Sequence, residues 1–295
     1  MQLMYGTIRG FSEETRIFEM LVGNKVEFFY LTRSQFKRFK PYLNEKLVVH
    51  FACSDERKKQ GDVMAYEVIH FVKILRHLPR KTVVYYDISV IKQGVRKLFN
   101  KEGYRLFLDL EFTMPPHGYL HGGGFVPEII EYGLLLEDHT GQVIRTEEGL
   151  IRPKFDMGIN SRTTEFLGIS EEQIKNAPHY QRFYRTFKDI LCLYQPTIYV
   201  WGKNDILMLD AFYQQRKVKS LAERKSFVNL MQVIKNYYGI KTDIGLFNAY
   251  SFFHTTSPME QDHNALNDAI ATSEIFKLFQ KELNTDSPTE DSSDS

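Results

Sequence analysis

In Leu106-Phe107-Leu108-Asp109-Leu110-Glu111-Phe112-Thr113 the even positions are apolar as far as Phe112. Side chains alternate along a strand, so Asp109 and Glu111 project from the same face. Two carboxylates inside an otherwise apolar strand repel each other and lose hydration, which drives at least one towards its neutral form unless a cation sits between them. The pair asks for a divalent metal. An edge face with two solvated acids is the alternative, and the apolar flanks speak against it. Asp205 follows Tyr199-Val200-Trp201-Gly202-Lys203-Asn204, just past a strand end where a helix begins. Alone it reads as a helix N-cap, although a carboxylate there is also placed to join a site at the strand ends. In Gln261-Asp262-His263-Asn264-Ala265-Leu266-Asn267-Asp268-Ala269, His263 stands at a helix start and Asp268 just over a turn inside it. Attraction to the helix dipole is the bland account of Asp268. Its neighbours one turn away, Asn264, Ala265, Ala271 and Thr272, are small and leave room around the carboxylate, while Leu266, Ile270 and Phe276 form a stripe that packs on a sheet.

The elements that must position these groups follow from the apolar pattern. From Gln2 to about Leu75, short runs of period near two, punctuated by turn residues, predict strands near 3–9, 15–22, 25–31, 46–53 and 63–74. A basic stretch compatible with a helix, Ser34 to Lys40, falls between the third and fourth, which is the element order of a small OB-type barrel spanning 1–75. Residues 76–103 read as a basic connector, broken at Leu78-Pro79-Arg80-Lys81 and carrying a helix from Ser89 to Asn100 that Asp87 or Ser89 caps. Beyond Gly103, strands fit 104–113, 128–137, 142–152 and 197–201, and helices fit 180–194, 206–215, 227–238 and 265–282. Three antiparallel strands followed by alternating helices and strands imply an α/β domain over 104–282, a mixed sheet with helices on both faces. Residues 283–295, rich in Ser, Asp and Glu, are expected to form a disordered acidic tail.

The chain carries 38 Lys and Arg against 37 Asp and Glu, a balance that excludes no class of partner. The first 105 residues hold 20 basic and 11 acidic side chains, so a polyanion would be gripped by the front of the molecule. A solvated basic surface accounts for the charge alone equally well. Cys53 and Cys192 each lie in an apolar run and are expected to be buried thiols of a reducing compartment, with neither a disulfide framework nor zinc-type spacing. No secretory leader pattern and no bilayer-spanning apolar run are present, which points to a cytoplasmic protein with no membrane partner.

In order along the chain, Asp-x-Glu on a first strand, an Asp after a strand ending in Trp-Gly, and His-x4-Asp on the last helix resemble the DEDDh exonucleases, also called DnaQ-like. Pro127-Glu128-Ile129-Ile130-Glu131-Tyr132-Gly133 is similar to that family's second strand. Leu167-Gly168-Ile169-Ser170, with Asn176-Ala177-Pro178 after it, is similar to the segment before its first helix. The resemblance covers about residues 104–282, and the ordered set is far more specific than any one motif. It implies a ribonuclease H-like sheet and 3′-to-5′ hydrolysis of nucleic acid to 5′-mononucleotides. It further implies two Mg²⁺ or Mn²⁺ ions, about 3.5–4 Å apart, on Asp109, Glu111, Asp205 and Asp268. His263 would take the proton of the attacking water, and Thr113 would touch substrate. Pro115 to Phe125, with His117, His121 and three glycines, is longer than the family's turn; a lid over the substrate and a loop without function both stay open.

Gly6-Thr7-Ile8-Arg9-Gly10-Phe11 and Gly23-Asn24-Lys25-Val26-Glu27-Phe28-Phe29-Tyr30 resemble the opening strands of cold-shock domains. Such domains stack bases on second-strand aromatics, whereas Thr15-Arg16-Ile17-Phe18-Glu19-Met20 offers one ring. Phe29 and Tyr30 are left as a stacking platform beside Arg9, Arg16 and Lys25, with plain barrel core as the alternative for either ring. A barrel of this kind joined to a nuclease favours single-stranded RNA over DNA as partner. Two rivals stand beside this expectation: a non-catalytic nucleic-acid-binding protein on a nuclease scaffold, and a proofreading-type exonuclease acting on DNA.

Overall fold

The computed structural model describes residues 1–119, 124–240, 242–254 and 263–285. Of the expected tail 283–295, the first three residues instead end the helix Ala265–Thr285, where Leu283 is buried by packing; the remainder, His121 with the middle of the long loop, and Gln261 and Asp262 lie outside the described residues. Two compact units emerge: one comprises Met1–Val95 and Asn236–Lys241, the other Arg96–Lys235 and the described residues from Thr242 on.

In the first unit, strands β1 (Gln2–Ser12), β2 (Ile17–Val22) and β3 (Lys25–Tyr30) form an antiparallel meander. Gly23 opens the β2–β3 turn at φ 60°, a conformation that costs glycine nothing and matches the right-handed strand twist. Helix α1 (Arg33–Phe39) follows a capping box in which Thr32 and Gln35 satisfy each other's amides. The Gln35 amide then donates to the Val68 carbonyl at 2.7 Å and the Ile69 carbonyl at 2.9 Å, fastening the helix to the sheet. Strand β4 (Val48–Gln60) pairs with β1 and with β5 (Val63–Leu78), and β5 also pairs with β3 through Phe29–Tyr66 and Tyr30–Glu67. That last pairing closes a ring, the strand connectivity expected of an OB-type barrel. Phe18, Phe29, Phe51 and Phe71 fill its interior with ring centroids 4.9–6.4 Å apart.

Residues 76–87, read above as connector, are sheet instead. Strand β5 continues to Leu78, turns at Pro79-Arg80 and returns as β6 (Lys81–Asp87) on the sheet edge. Proline is tolerated in the turn, where it removes no ladder hydrogen bond, so the break in pattern marked a hairpin. Helix α2 (Ile88–Phe99) follows and belongs in part to each unit.

In the second unit the sheet order is β11-β10-β7-β8-β9. Strands β7 (Arg105–Phe112), β8 (Ile129–Glu137) and β9 (Val143–Leu150) are antiparallel, and β10 (Thr197–Val200) and β11 (Phe227–Asn229) add in parallel. Residues 227–229 are thus an edge strand and only 230–238 are helix α7 (Leu230–Tyr238); pairing with β10 overrides the helical pattern there. Short helices α3 (Ser161–Leu167), α4 (Glu171–Asn176) and α8 (Leu246–His254) add to those anticipated. One sheet face, through Leu106, Leu108, Leu134 and Leu136, packs on α5 (Gln181–Tyr194) and α6 (Asn204–Arg216). The other face, through Phe107 and Tyr199, meets Phe276 of α9 (Ala265–Thr285), giving the mixed sheet covered on both sides.

Cys53 is buried, as expected, but Cys192 is exposed. Helix α5 buries Phe183, Phe187 and Ile190, and a residue two positions after Ile190 turns outward on a 3.6-residue helix. Among the described residues no helix is long and apolar enough to cross a membrane.

Candidate active site

Asp109 and Glu111 leave β7 on the side that α9 covers, with Gly133 and Glu131 of β8 as their respective cross-strand partners. Gly133 decides how close the helix comes. A Cβ built there would lie 2.2 Å from the Ala265 carbonyl oxygen and 2.3 Å from the Leu266 nitrogen, so the backbone of the first α9 turn rests on the bare glycine. Asn264 fixes the same end: its side-chain oxygen accepts from the Asn267 amide at 2.9 Å, and its Nδ2 donates to Glu131 at 3.1 Å. Farther along, Ser273 and Lys277 donate to the buried Glu137 at 2.6 and 2.7 Å. Pinned in this way, α9 delivers Asp268 to β7, and carboxylate oxygens of Asp109, Glu111 and Asp268 all lie within 4.8 Å of one another.

Asp205, on α6, lies outside that 4.8 Å set, but its charge reaches Asp109. Its Oδ1 accepts a hydrogen bond from the Leu110 amide at 3.1 Å, on the strand between the two β7 acids. Lys203, not Asp205, holds the cap position of α6, and the Asp205 carboxylate reaches across to the sheet as well as to its own amide. His263, two residues before the start of α9, takes a left-handed backbone at φ 50°, a region in which histidine is enriched among non-glycine residues. Its ring lies against Phe166 with centroids 3.9 Å apart, and Nδ1 is 3.9 Å from Glu111 Oε1.

Sequence reasoning missed Glu131, a buried acid whose charge reaches Asp109. The signal was present: an acid inside the apolar run Ile129-Ile130-Glu131-Tyr132 poses the same problem as Asp109. Thr113 is buried, and its hydroxyl accepts from the Glu128 amide at 2.9 Å. It also lines a cleft of about 470 Å³ whose walls include Glu111, Met114, Phe166 and Leu207.

The electrostatics of the cluster are unfavourable as it stands. Burial first, then the charges of Asp205, Asp268, Glu111 and Glu131, hold Asp109 well above the usual carboxylate range. Burial pushes Asp205 up to about 7, Asp268 adds to the rise, and the backbone amides of Asp205 itself and of Leu110 oppose it. Buried, hard-oxygen donors at this spacing suit a divalent cation such as Mg²⁺ or Mn²⁺, whose charge removes the repulsion. A pH dependence follows. Both acids bind protons more tightly folded than unfolded, so between about pH 4 and about pH 7 the native state holds the extra protons and metal-free protein loses stability as pH rises. Because cations bind the ionised form, the thermal midpoint should rise more on adding Mn²⁺ at pH 8 than at pH 5.5. A calorimetric series showing the larger rise at pH 5.5 would contradict this.

Residues 106–276 match the sequence profile of the RNase T family, described as Exonuclease. The chain belongs to that exonuclease family. A probable 3′-5′ exonuclease, KapD, of Bacillus subtilis (strain 168) is 28% identical over 179 residues, which are 60% of this chain and 84% of that protein. Among solved structures, the nuclease domain of 3′hExo, a DEDDh family member bound to rAMP, superposes with a TM-score of 0.54 at 20% identity, over 61% of this chain and 93% of that one. A 3′-exonuclease from a structure of 3′-end specific recognition of histone mRNA stem-loop gives 0.54 at 19% identity, over 62% of this chain and 65% of that one. These likenesses agree with the ribonuclease H-like DEDDh fold.

In this exonuclease the barrel residues expected to bind substrate are not gathered into one platform. Phe29 is 0% exposed and stacks on Phe18 and Tyr66, so it cannot offer a face to a base; it is core because it shares its strand face with the ring interior. Tyr30 is half-buried and donates to Glu67 at 2.8 Å; burial and that bond push its hydroxyl up to about 12. Arg9 and Lys25 are exposed on β1 and β3, with β2 between them, and Arg16 sits in the β1–β2 turn at φ 58°.

Proposed function

We propose that this exonuclease removes 5′-mononucleotides from the 3′ end of single-stranded nucleic acid, RNA in preference to DNA, with two divalent cations. The convergence of Asp109, Glu111 and Asp268 oxygens within 4.8 Å, from a strand and a helix far apart in sequence, is the observation that carries it. With Asp205 these acids would hold two Mg²⁺ or Mn²⁺ ions, which when bound supply positive charge to the attacking and leaving oxygens of the phosphodiester. His263, beside Glu111, accepts the proton of the attacking water. The water oxygen bonds to phosphorus as the bond to the 3′-oxygen breaks, leaving a shortened strand with a 3′-hydroxyl. A neutral imidazole suits that proton transfer near pH 7. Phe166 holds the ring in place, since its face is the surface on which the imidazole rests. The apolar cleft beside Thr113 and Phe166 receives the terminal nucleoside and excludes water from it.

Two relatives favour RNA: 3′hExo was solved with rAMP, and the second 3′-exonuclease in a histone mRNA stem-loop recognition structure. The test is digestion of matched RNA and DNA strands, each with a free or a phosphorylated 3′ end, in Mg²⁺, Mn²⁺ or chelator. Mononucleotides should appear from unblocked strands only with cation, and faster from RNA. Binding without shortening under every condition supports a scaffold role instead; faster cutting of DNA supports a proofreading type.

A further inference from the structure

Besides Tyr5 on β1, the first unit exposes two rings that face each other, one of them on its edge strand. Pairing of Ile74 with Tyr86 and of Leu75 with Val84 leaves Tyr85 as the extra residue of a β-bulge on edge strand β6. Bulges re-aim side chains, and here the Tyr85 ring turns to Tyr42, in the turn after α1, with centroids 5.7 Å apart and planes 31° apart. Both remain open to solvent, Tyr42 at 39% and Tyr85 at 38% exposure. Next to them the Arg38 guanidinium lies over Tyr86 at 5.6 Å and Phe39 at 5.2 Å.

The surrounding charge is one-sided. Residues 33–42 contain four Lys or Arg and no acid, and residues 73–87 contain four and one acid, Asp87. Lys40 pairs with Glu13 and Lys73 with Asp87. Among the described residues Arg33, Lys37, Arg38, Arg76, Arg80 and Lys81 make no ion pair. Two exposed flat rings within a field of unneutralised cations match a polyanion that also presents flat faces, which a lipid surface or an acidic peptide does not.

We infer that the Tyr42–Tyr85 pair, with the cations of α1 and of the β5–β6 hairpin, is a stacking platform that holds single-stranded nucleic acid. This rests on the nuclease reading, but binding tests it separately from hydrolysis. The probes are 5′-fluorescein-labelled 20-nucleotide oligo(U) and oligo(dT), titrated with full-length protein in chelator so that nothing is cut. Tyr42→Ala/Tyr85→Ala should weaken binding of both strands about tenfold or more, and Tyr42→Phe/Tyr85→Phe should restore it, because stacking needs the ring and not the hydroxyl. Arg76→Gln/Arg80→Gln should flatten the salt dependence by about 0.7 in the log–log slope per cation removed. Cleavage of a dinucleotide in Mn²⁺ should be unchanged in every variant, because none of the substituted residues belongs to the catalytic group. Wild-type strand affinity in the alanine pair, or an equal loss in the phenylalanine pair, overturns the platform. Loss of binding by RNA alone points to 2′-hydroxyl recognition and overturns stacking as its basis. Absence of dinucleotide cleavage in the unmodified protein counts against the nuclease reading and leaves the binding result standing.

Discussion

Asp109→Ala is expected to reduce cation-dependent hydrolysis by at least about 10³-fold, roughly 4 kcal/mol of transition-state stabilisation, without unfolding the protein. The two halves of this expectation have one cause. Asp109 sits among Glu111, Asp205, Asp268 and Glu131, and their charges oppose its ionisation. With cations bound, four of these acids, Asp109, Glu111, Asp205 and Asp268, would be the proposed ligand set, and removing Asp109 dismantles it. Without cations the same carboxylate is a source of repulsion, so the alanine variant at pH 7.5 should melt no lower than the unmodified protein in chelator. Asp268→Ala should behave alike. Substantial Mg²⁺-dependent turnover in either variant removes the assignment, and a collapse of the melting temperature in chelator shows that the acids hold the fold together in some other way.

Gly133→Ala, a change of one methyl group, should cost about 3 kcal/mol of stability, at the upper end of overpacking penalties, and most of the activity. The added carbon would fall 2.2 Å from one backbone atom and 2.3 Å from two others in the first turn of α9. No rotamer change relieves an overlap with main chain. Either α9 lifts from β8 or the β7–β8 pairing shifts, and both displace Asp268 from Asp109. A displacement of about 1 Å is enough to lower a rate by roughly 10². Denaturant midpoints and Mn²⁺-dependent turnover measured together check this; a variant with normal values for both shows that the helix stands off farther than the geometry indicates. Gly141→Ala makes a useful contrast, since φ 86° penalises the backbone there but the nearest atom is the mobile end of Lys277.

Much of the candidate site is legible in the sequence. Alternation along Leu106 to Phe112 fixed the shared face of Asp109 and Glu111, and the His263–Asp268 spacing fixed their place on one helix, because both depend only on local period. Asp205 alone reads as a helix cap, and its role as a metal ligand comes only with the family resemblance; the approach of the Leu110 amide to its carboxylate is a long-range contact that its own neighbourhood does not contain. Glu131 and Gly133 were read only as words of a family resemblance. Their meaning, an acid opposite Glu111 and a gap opposite Asp109, is a matter of strand register, which one strand's pattern does not contain. The barrel shows the same limit. Phe29 fell to the interior and Tyr85 to the surface through ring closure and a bulge, and neither is a property of the residues' own neighbourhood.

The order in which the polypeptide supplies its chemistry has a consequence for its synthesis. Asp109, Glu111 and Asp205 precede the imidazole and the last carboxylate by more than fifty residues, and α9, which carries Asp268, must lie down on β8 before the proposed cation site exists. Any translation product abandoned before His263 has at most three of the four acids and not the proposed base. On the proposed mechanism such fragments hydrolyse nothing, so a ribosome that stalls partway releases no active nuclease.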